Sequence, residues 1–323
     1  MRDELCVAPG LFKIVLPTPF PVGDVNVYLV EGEQLTLIDV GAKTEQSWDS
    51  FRHQLNQIGY KPEEIEQVIL THHHPDHVGM LDFFRDDLPV IGHWRIEPWI
   101  SQDDLFFTQY VAFFTTLFHQ AGIDPYFLKF IPALKSSMKY SCRRSLTGTM
   151  TEGDAVPGLP GWRVVETPGH AQSHIIFYNE AEGLVIGGDF LIKHISSNPL
   201  LEPPYVGESE RAKPQLQYNA SLKKALGLPM DRVLTGHGHD VSLPHSLIEI
   251  RLQQQHERAM TIYEWLKERP MTAFAVCKKL FPTVFQKELG LTMSETIGQL
   301  DYLESLGLVK IDKTSKAWCY YTV

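Results

Sequence analysis

Four histidines and an aspartate crowd the segment His72-His73-His74-Pro75-Asp76-His77, directly after the apolar run Val68-Ile69-Leu70. Neutral imidazoles and a carboxylate are suitable ligands for Zn²⁺, Fe²⁺ or Mn²⁺, so a strand that delivers such a turn outlines a metal site. Alternate side chains of an extended chain point the same way, which aims His72 and His74 together. Asp76 and His77 then open a helix and can face a neighbouring ion. Three later fragments set a ligand-type residue beside glycine at a strand end: Thr167-Pro168-Gly169-His170, Gly187-Gly188-Asp189 and Gly236-His237-Gly238. Glycine permits close backbone approach at such turns, so side chains can converge there. With the alternating positions of the cluster, these fragments supply five histidines and two aspartates, enough for two ions sharing one bridging carboxylate. Neither a Gly-x-Ser-x-Gly elbow nor a P-loop occurs. The nucleophile this chain offers is therefore metal-activated water.

The elements that must carry these residues alternate strand and helix over the first 240 positions. Strands are expected at Leu11–Leu16, Val25–Val30 and Leu35–Val40, antiparallel because no helix-length pattern separates them. An amphipathic helix from about Glu45 to Ile58 leads to a strand at Gln67–Thr71, and a further strand-like run follows at Pro89–Trp94. Strand signals resume at Trp162–Glu166, His174–Asn179, Leu184–Ile186 and Arg232–Thr235, with a helix near Gln215–Leu226 before the last. Between these halves, residues 95–147 break the alternation. Phe106, Phe107, Tyr110, Phe113, Phe114 and Phe118 recur at helical spacing there. The segment reads as a helical pair packing on the core, a role compatible with an aromatic lid over substrate.

A long helix over roughly Ser246–Lys267 stops before Pro270. Helices at Thr272–Leu280 and Ser294–Leu306 precede two strands around a Thr-Ser-Lys turn, which suggests a winged-helix module. That module carries six lysines against five acids and no arginine, so packing or oligomerisation, a homodimer included, is favoured over nucleic-acid binding.

The ordered set HxHxDH, TPGH, GGD and GHG, with Leu37-Ile38-Asp39-Val40-Gly41 before it, resembles the metallo-β-lactamase superfamily in its glyoxalase II-like branch. The resemblance covers about residues 1–240 and implies an α+β fold, a four-layer αββα sandwich with metals at one edge. It implies that His72, His74 and His170 hold one divalent ion, that Asp76, His77 and His237 hold a second, and that Asp189 bridges them. Two zinc ions are expected, with iron or manganese as alternatives. Asp76 and Asp189 would be the catalytic carboxylates, Asp76 orienting the attacking water and accepting its proton. His73 occupies a variable position of the motif, His239 lies just past it, and Asp39 is expected to hydrogen-bond the ligand loop. The stretch Ile195–Glu202 and the C-terminal tail resemble a lactamase-like subgroup with a winged-helix extension, containing hydrolases and a ribonuclease. Two units are expected: residues 1–245, a hydrolase domain with the 95–147 insertion, and residues 246–323, the long helix with the winged-helix-like module.

The expected activity is hydrolysis of a small ester, thioester or lactone. Lys193, His194 and Lys213 leave a phosphodiesterase or ribonuclease as an alternative, and a mononuclear iron persulfide dioxygenase is another. Antibiotic hydrolysis is disfavoured, because no cysteine lies near Gly188-Asp189 and the bridging acid is present. The net charge of −10 argues against a general affinity for nucleic acid or anionic membrane. No run approaches a membrane span, and the N-terminal MRDELCVAPG lacks the character of a signal peptide. Scattered Cys6, Cys142, Cys277 and Cys319 show no disulfide framework. A small-molecule substrate and a cytoplasmic setting follow.

Overall fold

The computed structural model describes residues 2–128 and 131–323. Helix α1 (Arg2–Leu5) leads into β1 (Cys6–Ala8), β2 (Leu11–Leu16), β3 (Val25–Glu31) and β4 (Leu35–Ile38), each pairing antiparallel with the next. Helix α2 (Glu45–Ile58) starts on Thr44, whose side chain accepts the Ser47 N–H, and stops at Gly59 with φ 111°. It returns the chain to β5 (Gln67–Ile69), parallel to β4 as a helical crossover dictates. After α3 (Pro75–Val78) comes β6 (Val90–Gly92). The helical excursion then comprises α4 (Glu97–Ile100), α5 (Asp104–Gln120), α6 (Pro125–Leu128) and a 3₁₀ stretch at Ile131–Tyr140. It ends at β7 (Gly148–Thr149), the last strand of a sheet ordered β1 to β7.

A second sheet holds β8 (Trp162–Glu166), β9 (Ile175–Asn179), β10 (Leu184–Ile186) and, beyond α7 (Pro214–Ala225), β11 (Arg232–Leu234). β8, β10 and β11 run the same way, since β9 is antiparallel to both β8 and β10 while β11 is parallel to β10. The turns bearing His170, Asp189 and His237 therefore emerge at one sheet edge. The chain closes with α8 (Pro244–Glu268), β12 (Met271–Thr272), α9 (Ala273–Leu280), α10 (Leu289–Ser305) and the hairpin of β13 (Val309–Asp312) and β14 (Cys319–Thr322).

Leu11, Tyr28 and Ile38 of the first sheet meet Val164, Phe177 and Ile186 of the second. On the outer face of the first sheet, Leu16, Val27 and Val68 are covered by Phe51 and Leu55 of α2. On the outer face of the second, Ile176 and Val185 are covered by Tyr218 and Leu222 of α7 and Ile248 of α8. The four αββα layers expected from the resemblance are all present. The aromatic insertion departs from expectation: Phe114 and Phe118 of α5 pack with Ile262 of α8, Phe274 of α9 and Ile297 of α10, away from the inter-sheet core. Residues 114–123 and the C-terminal helices thus share one apolar cluster. Among the described residues no helix is long and apolar enough to cross a membrane, and the four cysteines are unpaired.

Candidate metal centre

The extension of β5 is tied to the second sheet where the Ile175 N–H donates to the Thr71 carbonyl at 2.9 Å. This contact brings the histidine-rich turn against the edge from which the three Gly-flanked turns emerge. His72, His74 and His170 gather into one trio, and Asp76, His77 and His237 into another, each with its donor atoms within 4.8 Å of one another. In the first trio His74 Nδ1 lies 3.0 Å from both His72 Nε2 and His170 Nε2. A tetrahedral zinc with bonds of about 2.0–2.1 Å holds its donors roughly 3.3 Å apart, so the spacing suits an ion. Asp189 stands between the trios: Oδ1 is 3.4 Å from His77 Nε2, and Oδ2 is 3.4 Å from both His170 Nε2 and His237 Nε2. Six of these seven residues are buried, while His74 is half-buried and marks the open side.

The ring nitrogens are sorted by their other partners. His72 Nδ1 faces Thr71 Oγ1 at 3.0 Å, and that hydroxyl donates to Asp39, so the imidazole is the donor. His77 Nδ1 donates to Asp39 Oδ2 at 2.8 Å, His170 Nδ1 to the Asn198 carbonyl at 3.0 Å, and His237 Nδ1 to the Asp24 carbonyl at 2.8 Å. Four of the five imidazoles thus have Nδ1 held by an acceptor and turn Nε2 toward the centre, the arrangement by which outer hydrogen bonds orient metal-binding histidines. His77 Nε2, His237 Nε2 and Asp189 Oδ1 are buried without a hydrogen-bond partner in the chain. Burying such atoms unsatisfied is costly, so the donor set fits divalent cations.

Burial, reinforced by neighbouring imidazoles, pushes His72 and His74 well below the usual histidine range and keeps their lone pairs free. Burial opposes charge on His77 and His237 too, but carboxylates outweigh it. Asp189 and Asp39 raise His77 well above its ordinary value, and Asp189 with Asp76 raises His237 to about 10. Burial likewise disfavours the ionised acids. His237 and His77 nonetheless hold Asp189 well below the ordinary carboxylate value and keep Asp76 lowered. The positive charge those carboxylates draw onto two imidazoles is the charge a dication carries.

Asp39 also lies within reach of His72 and His77. Its oxygens, however, accept the Thr71 N–H at 2.8 Å, the Thr71 hydroxyl at 2.7 Å and His77 Nδ1. It therefore holds the ligand loop, as expected, from a left-handed backbone at φ 57°. His73 turns away, stacking on Trp99 with ring centroids 4.0 Å apart and donating to or accepting from Ser173 Oγ at 2.8 Å. His239, Lys193 and His194 are exposed. Lys213, considered above for phosphate binding, is instead paired with Glu304 of α10 at 2.7 Å.

Sequence reasoning missed His174. Its Nε2 accepts the Asp189 backbone N–H at 3.1 Å while its Nδ1 meets Thr167 Oγ1 at 2.9 Å, fixing the turn that presents the central carboxylate. The spacing of four from His170 is the only sequence signal of it. Two glycines are equally demanding. A Cβ on Gly236 would stand 2.2 Å from Asp189 Oδ1, and one on Gly188, at φ 46°, 2.7 Å from Thr71 Oγ1.

Comparison with known proteins agrees with this geometry. The family model described as the metallo-beta-lactamase superfamily matches residues 20–237. The chain is 46% identical over 295 residues to "Probable metallo-hydrolase YqjP" of Bacillus subtilis (strain 168), covering 91% of this chain and 92% of that one. It is 22% identical over 304 residues to "Beta-lactamase-like protein 2 homolog" of Drosophila melanogaster, covering 93% and 88%. In fold it is similar to a metallo-beta-lactamase family protein of Thermus thermophilus, with TM-score 0.82, 24% identity and coverage of 98% and 100%. A beta-lactamase domain protein of Burkholderia ambifaria gives TM-score 0.78 at 22% identity, with coverage of 98% and 94%. With a trio of three histidines and a trio of one aspartate and two histidines that could hold metal, the chain belongs to the metallo-beta-lactamase superfamily.

Proposed function

We propose that this protein is a dinuclear metal-dependent hydrolase of the glyoxalase II-like branch, cleaving a small ester, thioester or lactone. The observation that carries the reading is the position of Asp189, within 3.4 Å of ligand nitrogens from both trios. His72, His74 and His170 would hold one ion, Asp76, His77 and His237 the other, and Asp189 would touch both. When bound, such a pair supplies hydroxide at neutral pH and a Lewis acid for the substrate's carbonyl oxygen. Asp76 turns Oδ2 toward His237 Nε2 at 3.3 Å; its other oxygen is the atom to orient the attacking water and take its proton. Trp99, stacked on His73 and packed with Phe106, Phe107 and Tyr205, backs the histidine-rich turn with a buried apolar cluster that keeps water from that side.

An acyl substrate is favoured over a phosphodiester because Lys213 is neutralised by Glu304 and the chain carries net charge −10. Zinc suits the imidazole-rich donor set. The C-terminal helices and hairpin act as a winged-helix-like packing module, and the protein works in the cytoplasm on a small molecule. The test is a panel of aryl ester, acyl thioester, lactone and phosphodiester substrates with zinc-, manganese- and iron-loaded protein. Chelator-sensitive cleavage of an acyl substrate, falling roughly 10²-fold or more in Asp189→Ala, is the expected result. Cleavage confined to the phosphodiester, or oxygen uptake on a persulfide with a single iron, overturns it.

A further inference from the structure

We infer that α10 is a structural part of the metal centre, fixing the ring of His170 through the irregular segment 197–201; the inference rests on the metal-binding reading above. His170 leaves its turn with two ties to that segment. Its Nδ1–H donates to the Asn198 carbonyl at 3.0 Å, and its own carbonyl accepts the Leu200 N–H at 3.3 Å. The segment has no regular secondary structure of its own, so the position of that carbonyl is set by what anchors the loop. Both side-chain anchors reach α10: Asn198 Nδ2 donates to the Leu291 carbonyl at 3.1 Å, and Ser294 Oγ accepts the Leu201 N–H at 3.1 Å. Leu201 itself is buried in the apolar cluster with Met293 and Ile297. Together these contacts form a strut from helix to loop to ligand ring.

The other Nδ1-held ligands are anchored within the sandwich, His72 through Thr71, His77 through Asp39 and His237 through the Asp24 carbonyl. The strut thus acts on one ion's site and leaves the other alone. Asn198 and Ser294 are positioning residues, because neither reaches the centre except through His170. This gives the C-terminal helices a role that needs no nucleic acid: they set the affinity of the His72–His74–His170 site.

The test is cobalt(II) titration of the metal-free full chain against a competing chelator, read by visible absorption, for wild type, Asn198→Ala/Ser294→Ala, each single variant and Ser294→Thr. One of two cobalt equivalents weakens roughly 10–100-fold in the double variant, the range for lost outer hydrogen bonds, with an altered spectrum for that equivalent only. Ser294→Thr, which keeps the hydroxyl, titrates like wild type. Should the double variant fail to fold, the single variants show the same one-site weakening in smaller measure. Wild-type binding of both equivalents in variants that fold, or equal weakening of both, overturns the inference. A wild type that takes up no cobalt overturns the function itself, and is seen before any variant is compared.

Discussion

Asp39→Asn separates orientation of the ligands from their presence. Asparagine keeps the size of the side chain and tolerates the left-handed backbone at φ 57°. One oxygen still accepts the Thr71 N–H, but an NH₂ now stands where Oδ2 accepted from Thr71 Oγ1 and His77 Nδ1. Hydrogen bonds to a charged group contribute about 1.5–3 kcal/mol each, so losing two costs up to roughly 3–6 kcal/mol. Rotation of the hydroxyl and a change of imidazole tautomer recover part, leaving a loss of about 2–3 kcal/mol in the metal-free protein. The tautomer change is the informative part. In the metal-free variant Nδ1 of His77 can accept from the asparagine amide while a proton sits on Nε2, the atom turned toward Asp189. With a cation on Nε2 the neutral ring must carry its proton on Nδ1, where the amide NH₂ is no acceptor, so the affinity of the Asp76–His77–His237 site falls roughly 10–100-fold. Urea denaturation of the metal-free proteins reads the first effect, and chelator competition the second. Unchanged metal affinity in an Asp39→Asn protein would refute the tautomer reasoning.

Gly236→Ala places a methyl 2.2 Å from Asp189 Oδ1, so it is expected to cut metal uptake below one ion per chain, measured by elemental analysis. Full uptake would show that the turn yields. Trp99→Ala removes the ring stacked on His73 and the indole donor to Tyr205 at 2.8 Å; a loss of about 3–5 kcal/mol in urea is expected, with metal content retained. Glu202 supplies a pH signature. Burial pushes its carboxyl up to about 7, above its ordinary value, so the folded protein holds that proton where the unfolded chain has released it. Stability from this group therefore declines as pH rises from about 4.5 to 7, by up to roughly 3 kcal/mol, and is flat above. The difference between wild type and Glu202→Gln, followed by denaturation at pH 5 and pH 8, should change by that amount in favour of the variant at pH 8; a constant difference would contradict it.

Much of this was readable from the chain because its signals are local. The strand signals at Leu11–Leu16 and Trp162–Glu166 and the amphipathic pattern over Glu45–Ile58 fall on the observed elements. The ligand-type residues announce themselves because their fragments sit next to glycine and at strand ends. Less legible features depend on contacts distant in sequence. His174 reads as the first residue of a strand, and only the Asp189 N–H reveals its use. The partners of His170 and His237 are backbone carbonyls, which no side-chain pattern encodes. α10 begins at Leu289, before the expected Ser294, because Gly290 and Thr292 weaken a helical pattern that tertiary burial rescues. The aromatics of α5 carried the right period, but periodicity does not name their partners: Phe114 and Phe118 join the C-terminal cluster, Phe106 and Phe107 join Trp99 and Tyr205.

Metal stoichiometry tests the two-ion centre most directly. Elemental analysis of wild type and Asp189→Ala after saturation with zinc and removal of excess should give about two ions per chain for the first, the count a two-metal hydrolytic site requires, and one or fewer for the second. A wild type that retains a single ion or none, or an Asp189→Ala protein that retains two, would contradict a paired centre joined by this carboxylate.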